Sequence, residues 1–133
     1  MSIELSWDEH SDNVIRYDFP GQWDWQDFIL AFNRTLEMAR TLDGAHYDVI
    51  DDLLKSPHLP PGSGITHVYG VFKRKPANCG ITVIVTRSAF VRALVEVLLK
   101  VHPDARHAFA ITSTLEEARA IIAQMRKAAN EPA

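Results

Sequence analysis

The chain has 133 residues, 47% hydrophobic and 23% charged, with a formal net charge of −3, which fits one domain with its own core spanning 1–133 and leaves no room for two. No apolar run reaches membrane-spanning length, and Met1-Ser2-Ile3-Glu4-Leu5 carries neither a basic nor an apolar secretion segment, so membrane insertion and export are excluded as expectations. The single cysteine, Cys79, excludes an internal disulfide and suits a reducing compartment, so the expected location is cytoplasmic.

Ile3, Leu5 and Trp7 alternate with polar residues and predict a half-buried strand over 2–7. Val14 to Phe19 follows after a short polar turn, so the two strands form an antiparallel hairpin and the first lies at a sheet edge. Asp24 is a plausible N-cap for a helix whose stripe is Trp25, Phe28, Ile29, Phe32, Leu36 and Ala39, with Gly44 as its stop. Tyr47 to Leu53 predicts the third strand. Leu54 to Gly64 is the longest irregular stretch, with three prolines and two glycines, and loops of that kind often carry function.

Ile65, Val68, Tyr69 and Phe72 predict a short helix closed by Lys73-Arg74-Lys75-Pro76, whose basic end suits the helix dipole. Gly80 to Thr86 is almost wholly apolar and β-branched, as a strand covered on both faces should be. Ser88 caps a helix with the stripe Val91, Leu94, Val95 and Leu98, ended by His102-Pro103. His107 to Thr112 predicts the last strand. Thr114 and Glu117 form a capping box for a final helix with the stripe Ala118, Ile121, Ile122 and Met125, before a tail over 130–133. The order β-β-α-β-α-β-α-β-α predicts an α/β fold: a single mixed, mostly parallel five-stranded sheet with four helices packed on it.

This order resembles that of the STAS family, the domains shared by sulphate transporters and anti-sigma-factor antagonists, over nearly the whole chain. The local match is Pro61-Gly62-Ser63-Gly64-Ile65, entering the second helix after the third strand. In phosphorylatable members this place looks like Asp-Ser-Ser-Gly-Leu, whose first serine accepts phosphate from a kinase. Ser63, Gly64 and Ile65 match the second serine, the glycine and the apolar residue. Gly62 stands at the phosphoacceptor position and Pro61 at the aspartate. The resemblance therefore implies a non-enzymatic regulatory or protein-interaction module without the usual serine phosphoswitch. Its expected partner is a protein, with a kinase or an anti-sigma-like regulator as the family's examples. The alternative is a binder of a small anionic or lipid-like ligand beside the 55–64 loop.

The residues expected at that partner or ligand surface are Ser56, His58, Gly62, Ser63, Gly64, His67, Tyr69 and Trp23. Ser63 reads either as an N-cap or as a phosphoacceptor. Trp23 reads either as an interface anchor or as packing over the sheet end. Asp48, Asp51 and Asp52 group carboxylates on one strand, which can hold a cation or act as acid and base, although no second acidic motif joins them. An enzyme would need His58 or His67 to approach Asp51 or Asp52. No histidine pair has metal-ligand spacing and no cofactor motif is present, so neither a metal nor a cofactor is expected. Cys79 at a strand start reads as a buried, inert thiol.

Residues 1–66 carry 12 acids against 4 bases, and residues 67–133 carry 5 acids against 10 bases. If the halves occupy different sides, the resulting dipole orients a charged partner; a solvated surface gives the same count. The one dense basic run, Lys73-Arg74-Lys75, has no aromatic platform beside it, so nucleic acid is not an expected partner. Homodimerisation through the edge strand or the charged faces stays open.

Overall fold

The computed structural model describes residues 2–130. In chain order the elements are β1 (Glu4–Trp7), β2 (Val14–Asp18), α1 (Trp25–Arg40), β3 (Tyr47–Asp52), α2 (Gly64–Arg74), β4 (Cys79–Val85), α3 (Ala89–Val101), a 3-10 turn (Pro103–Ala108), β5 (Phe109–Thr112) and α4 (Leu115–Asn130). The five strands form one sheet in the order β1-β2-β3-β4-β5. β1 is antiparallel to β2, and β2 to β5 are parallel. The fold is the mixed α/β sheet with four helices that the pattern of the sequence predicts.

Three successive strand-helix-strand connections step across the sheet in one direction. Right-handed crossovers then put α1, α2 and α3 on the same face, and their apolar residues share a core with Ile15, Tyr17, Val49, Leu53 and Ile84. From the far edge strand the chain turns under the sheet, and α4 covers the opposite face with Ala118 and Ile122 against Val14, Ile50, Ile81, Val83 and Val85. The strict alternation of strand side chains sorts these two sets. β4 is apolar on both sides because both its faces are covered.

A register shift between Tyr47 and Val49 interrupts the β3–β4 pairing, and Asp48 repairs it. Its carboxylate accepts from the Ile81 amide at 2.7 Å and from Arg126 Nε at 2.9 Å, and it lies 3.0 Å from His46 Nε2. Asp48 is only 2% exposed, so this paired carboxylate locks α4 to the sheet. A Cβ on Gly80 would sit 2.2 Å from Asp48 Oδ1, so glycine is required there. Two turns earlier on α4, Arg119 grips Asp8 in the β1–β2 turn, from Nε at 3.0 Å and from Nη2 at 2.8 Å. Burial alone would raise the Asp8 pKa, but Arg119, with Ser11 and Arg16, outweighs it and holds the carboxyl below its ordinary range.

One boundary and one stripe position stand out against the sequence pattern. Pro103 starts a 3-10 turn that buries Ala105 and Ala108, so β5 begins at Phe109 and not at His107. Met125 is 47% exposed: α4 buries only Ala118 and Ile122, and it is Arg126 that reaches inward, to Asp48. Among the described residues no helix is long and apolar enough to cross a membrane.

Candidate functional site

On the face covered by α1 to α3, side chains of neighbouring strands line up in rows. One row is Tyr17, Asp51, Ile84 and Ile111; the next includes Ile15, Val49, Thr82 and Phe109. Above this floor the helices do not close completely. They enclose a cavity of about 110 Å³ between the sheet and the helical layer. Phe19, Trp23, Trp25 and Phe28 build one wall in edge-on contacts, with centroids 4.8 Å apart for Phe19–Trp23, 5.0 Å for Trp23–Trp25 and 5.8 Å for Trp25–Phe28. Leu94, Val95 and Leu98 of α3 form the opposite wall, and Ile65, Val68, Val71 and Phe72 of α2 form the roof.

The roof is the least anchored helix, for reasons visible in its residues. Gly64 and Gly70 each disfavour a helix by about 1 kcal/mol relative to alanine, and four of its eleven residues are β-branched. Ser63 occupies the N-cap position but its side chain makes no capping hydrogen bond. No α2 residue is fully buried: Val68 and Val71 pack partly on the core, and the apolar stripe lines the cavity. α2 is held at its margins. His67 stacks on Trp25 with centroids 5.2 Å apart, and Arg74 donates to Asn33 at 3.3 Å. Tyr69 stacks on His102 and donates to Asp104 at 2.7 Å. The loop before α2 is tied to the same aromatic wall, because Trp25 Nε1 donates to the Pro60 carbonyl at 3.3 Å. Gly64 lies so close to Trp25 that a Cβ would come within 2.9 Å of the ring.

Among the described residues Asp51 is the one acidic side chain lining this cavity. It projects from the central strand, between Tyr17 and Ile84. Among the described residues none donates a hydrogen bond to it. The Tyr17 hydroxyl beside it is bonded to Thr35 Oγ1, which also bonds the Ala31 carbonyl. Burial with no compensating donor pushes the Asp51 pKa up to about 7. Burial first, and then the Asp51 carboxyl, drives the Tyr17 hydroxyl well above its ordinary range. Burial likewise raises Tyr47 and Cys79. Lys75 lines the same cavity, but its ammonium is occupied: Nζ donates to the carbonyls of Cys79 at 3.0 Å and Gly80 at 3.2 Å.

The three aspartates grouped by sequence are separated by the pleat. Asp48 and Asp52 face the α4 side and Asp51 faces the cavity. Asp52 accepts from Arg16 at 3.2 Å, and among the described residues no cluster of potential metal ligands forms. Neither His58 nor His67 bonds to Asp51 or Asp52 among the described residues. His67 stacks on Trp25, whereas His58 lies in a second pocket with Leu54, Pro57, Arg87 and Phe90.

Ser56, placed by sequence on the partner surface, is fully buried. It accepts from Trp23 Nε1 at 2.7 Å and donates to the His58 carbonyl. Trp23 packs among the aromatic rings and lines the cavity. Gly62 takes a φ of +116° and packs on Trp25. Ser63 is exposed at the start of α2. Tyr69 is half-buried on α2, against His102 and Asp104.

The candidate loop and the cavity therefore meet at Trp23, Trp25 and Gly64. The sequence reading missed Asp51 as a cavity group. Its signal was parity: Tyr47, Val49 and Leu53 are apolar at every second position, and Asp51 interrupts that face. Comparison with protein-family models, with curated proteins and with solved structures returns no match.

Proposed function

We propose that this protein binds a small, mostly apolar molecule in the cavity between the sheet and α1 to α3, with α2 as the cover. The observation that carries this reading is the combination of an apolar cavity with a roof helix that has no buried residue. Well-packed interiors leave few voids larger than a water molecule, whereas ligand sites are apolar concavities with a few polar groups. A cavity of about 150 Å³ lined by aliphatic and aromatic residues takes up benzene. The space of about 110 Å³ here accepts a ligand of that class with a small outward movement of α2, and longer ligands require α2 to lift further. The test is a titration with toluene followed by the chemical shifts of Val68, Val95 and Ile84 methyl groups. Saturable shifts confined to the cavity lining support binding, and unchanged spectra up to toluene saturation refute it.

A second reading, the regulatory interaction module implied by the STAS resemblance, is favoured by one separate observation. Leu54 and Phe90 are exposed side by side at the ends of the central strands, with Phe90 60% exposed, next to the 55–64 loop. Affinity capture with wild type, Phe90→Ser and Ser63→Asp tests it. A partner lost by either folded variant supports the module, and capture that neither variant alters counts against it.

A further inference from the structure

We propose that the cavity ligand carries a hydrogen-bond-donating group, an alcohol or an amine, that docks on Asp51, and that anionic ligands are rejected. This inference rests on the cavity-binding reading and specifies its chemical class.

The argument begins with what surrounds the Asp51 carboxyl. From β2 it faces Tyr17, whose hydroxyl is turned to Thr35 of α1. From β4 it faces Ile84, and the remaining polar groups around the cavity are Thr82, Cys79, Tyr47 and Lys75. From α2 and α3 it is met by apolar side chains, chiefly Val68, Val71, Leu94 and Val95. No described group donates to it. Asp51 is half-buried, and its carboxyl oxygens stay open to the cavity. A hydrophobic residue at position 51 would continue the apolar face of β3, so the carboxyl is the exception in that lining. A wholly apolar ligand that displaces water from the cavity leaves this acceptor without a donor, at a cost of about 1–3 kcal/mol, and a ligand that brings its own donor avoids that cost.

The chemistry of the group sets the selectivity. In either protonation state a carboxyl accepts a hydrogen bond from a hydroxyl or an ammonium. The carboxylate form adds attraction for a cation, consistent with its titration near neutrality. A ligand carboxylate or phosphate brought to the same place meets an acceptor with no donor of its own above that pH. The one cation among the described lining residues sits elsewhere: the Lys75 ammonium is held by the Cys79 and Gly80 carbonyls at the start of β4, whereas Asp51 lies beside Ile84 near its end. The anionic ligand expected beside the 55–64 loop is therefore the class that this cavity disfavours.

The experiment measures affinities of toluene, benzyl alcohol, benzylamine and benzoate for the full chain at about pH 7.5, by calorimetry. These probes share one ring and differ in the group that would meet Asp51. The expected result is that benzyl alcohol, benzylamine or both bind at least about tenfold more tightly than benzoate, the size of a hydrogen bond to a charged group. Asp51→Leu is expected to erase the preference over toluene. Asp51→Asn, nearly isosteric, guards against a folding failure of the leucine variant and separates the two donors: it keeps benzyl alcohol and loses the benzylamine advantage. Benzoate binding as well as the donors, or donor preference persisting in Asp51→Leu, overturns the inference. Toluene binding with no gain for either donor overturns it while leaving the cavity reading intact. Absence of binding by all four probes removes both.

Discussion

Asp51→Asn should make the protein more stable at alkaline pH and leave it unchanged in acid. Burial raises the Asp51 pKa from 3.8 to about 7, so between those values the folded chain holds a proton that the unfolded chain has released. A state that binds more protons loses relative stability as pH rises. Wild-type stability therefore declines from about pH 4 to about pH 7 through this group and is flat above it. The full shift corresponds to about 4 kcal/mol at 1.36 kcal/mol per pKa unit, and water reaching the cavity reduces this toward about 2 kcal/mol. The asparagine variant lacks the titration. Urea unfolding of both proteins from about pH 4 to about pH 8.5 gives the comparison, and the difference between them cancels the other titrating groups. The expected curve is near zero at the acid end and about 2–4 kcal/mol in favour of Asp51→Asn at the alkaline end. A difference that stays constant with pH, or that grows in favour of wild type, would refute the claim that the Asp51 carboxyl is desolvated in the folded chain without a donor.

Three further predictions test the frame around the cavity. Gly80→Ala forces the Asp48 carboxylate away from the Ile81 amide and Arg126, and should destabilise by about 2–4 kcal/mol in denaturant titration. Gly64→Ala drives a Cβ into the Trp25 ring; α2 amides should exchange with solvent about tenfold faster while β3 and β4 stay protected. Arg119→Met removes both guanidinium bonds to Asp8 and leaves Arg16, at 3.9 Å, as its nearest cation; it should cost about 2 kcal/mol near pH 7. Because the Asp8 pKa is depressed in the folded state, its contribution is present above the unfolded value and is lost as pH falls through the folded one. The difference between Arg119→Met and wild type should therefore shrink in acid, as followed by thermal unfolding at several pH values.

The fold was legible because its signals are local and mutually consistent. The run Gly80 to Val85 states a two-sided strand, the stripe Trp25, Phe28, Phe32 and Ala39 states a one-sided helix, and short connections leave few topologies. Where sequence reading went astray, a tertiary partner decided the matter. Met125 and Arg126 are adjacent on α4, and the buried Asp48 carboxylate together with the Asp12 and Asn13 carbonyls explains why the arginine turns inward. Pro103 announced an end to α3 but not the 3-10 turn that follows. The site was less legible for a different reason. The stripe Ile65, Val68 and Phe72 is the same whether a helix packs tightly or stands over a cavity, because periodicity reports direction and not distance. The Asp48, Asp51 and Asp52 grouping looked like one acidic patch until the pleat divided it. The 55–64 loop was marked by its prolines and glycines, but its serine at position 56 is a buried strut for Trp23.

The most direct test of the account is whether the space under α2 is a binding site. Toluene is titrated calorimetrically into wild type and into Val68→Phe, a variant that fills the cavity from the roof. The account predicts saturable one-to-one binding to wild type with a negative heat-capacity change, weakened at least about tenfold in Val68→Phe while that variant still unfolds cooperatively. Equal affinity in the two proteins, or no saturable binding to wild type, would contradict it.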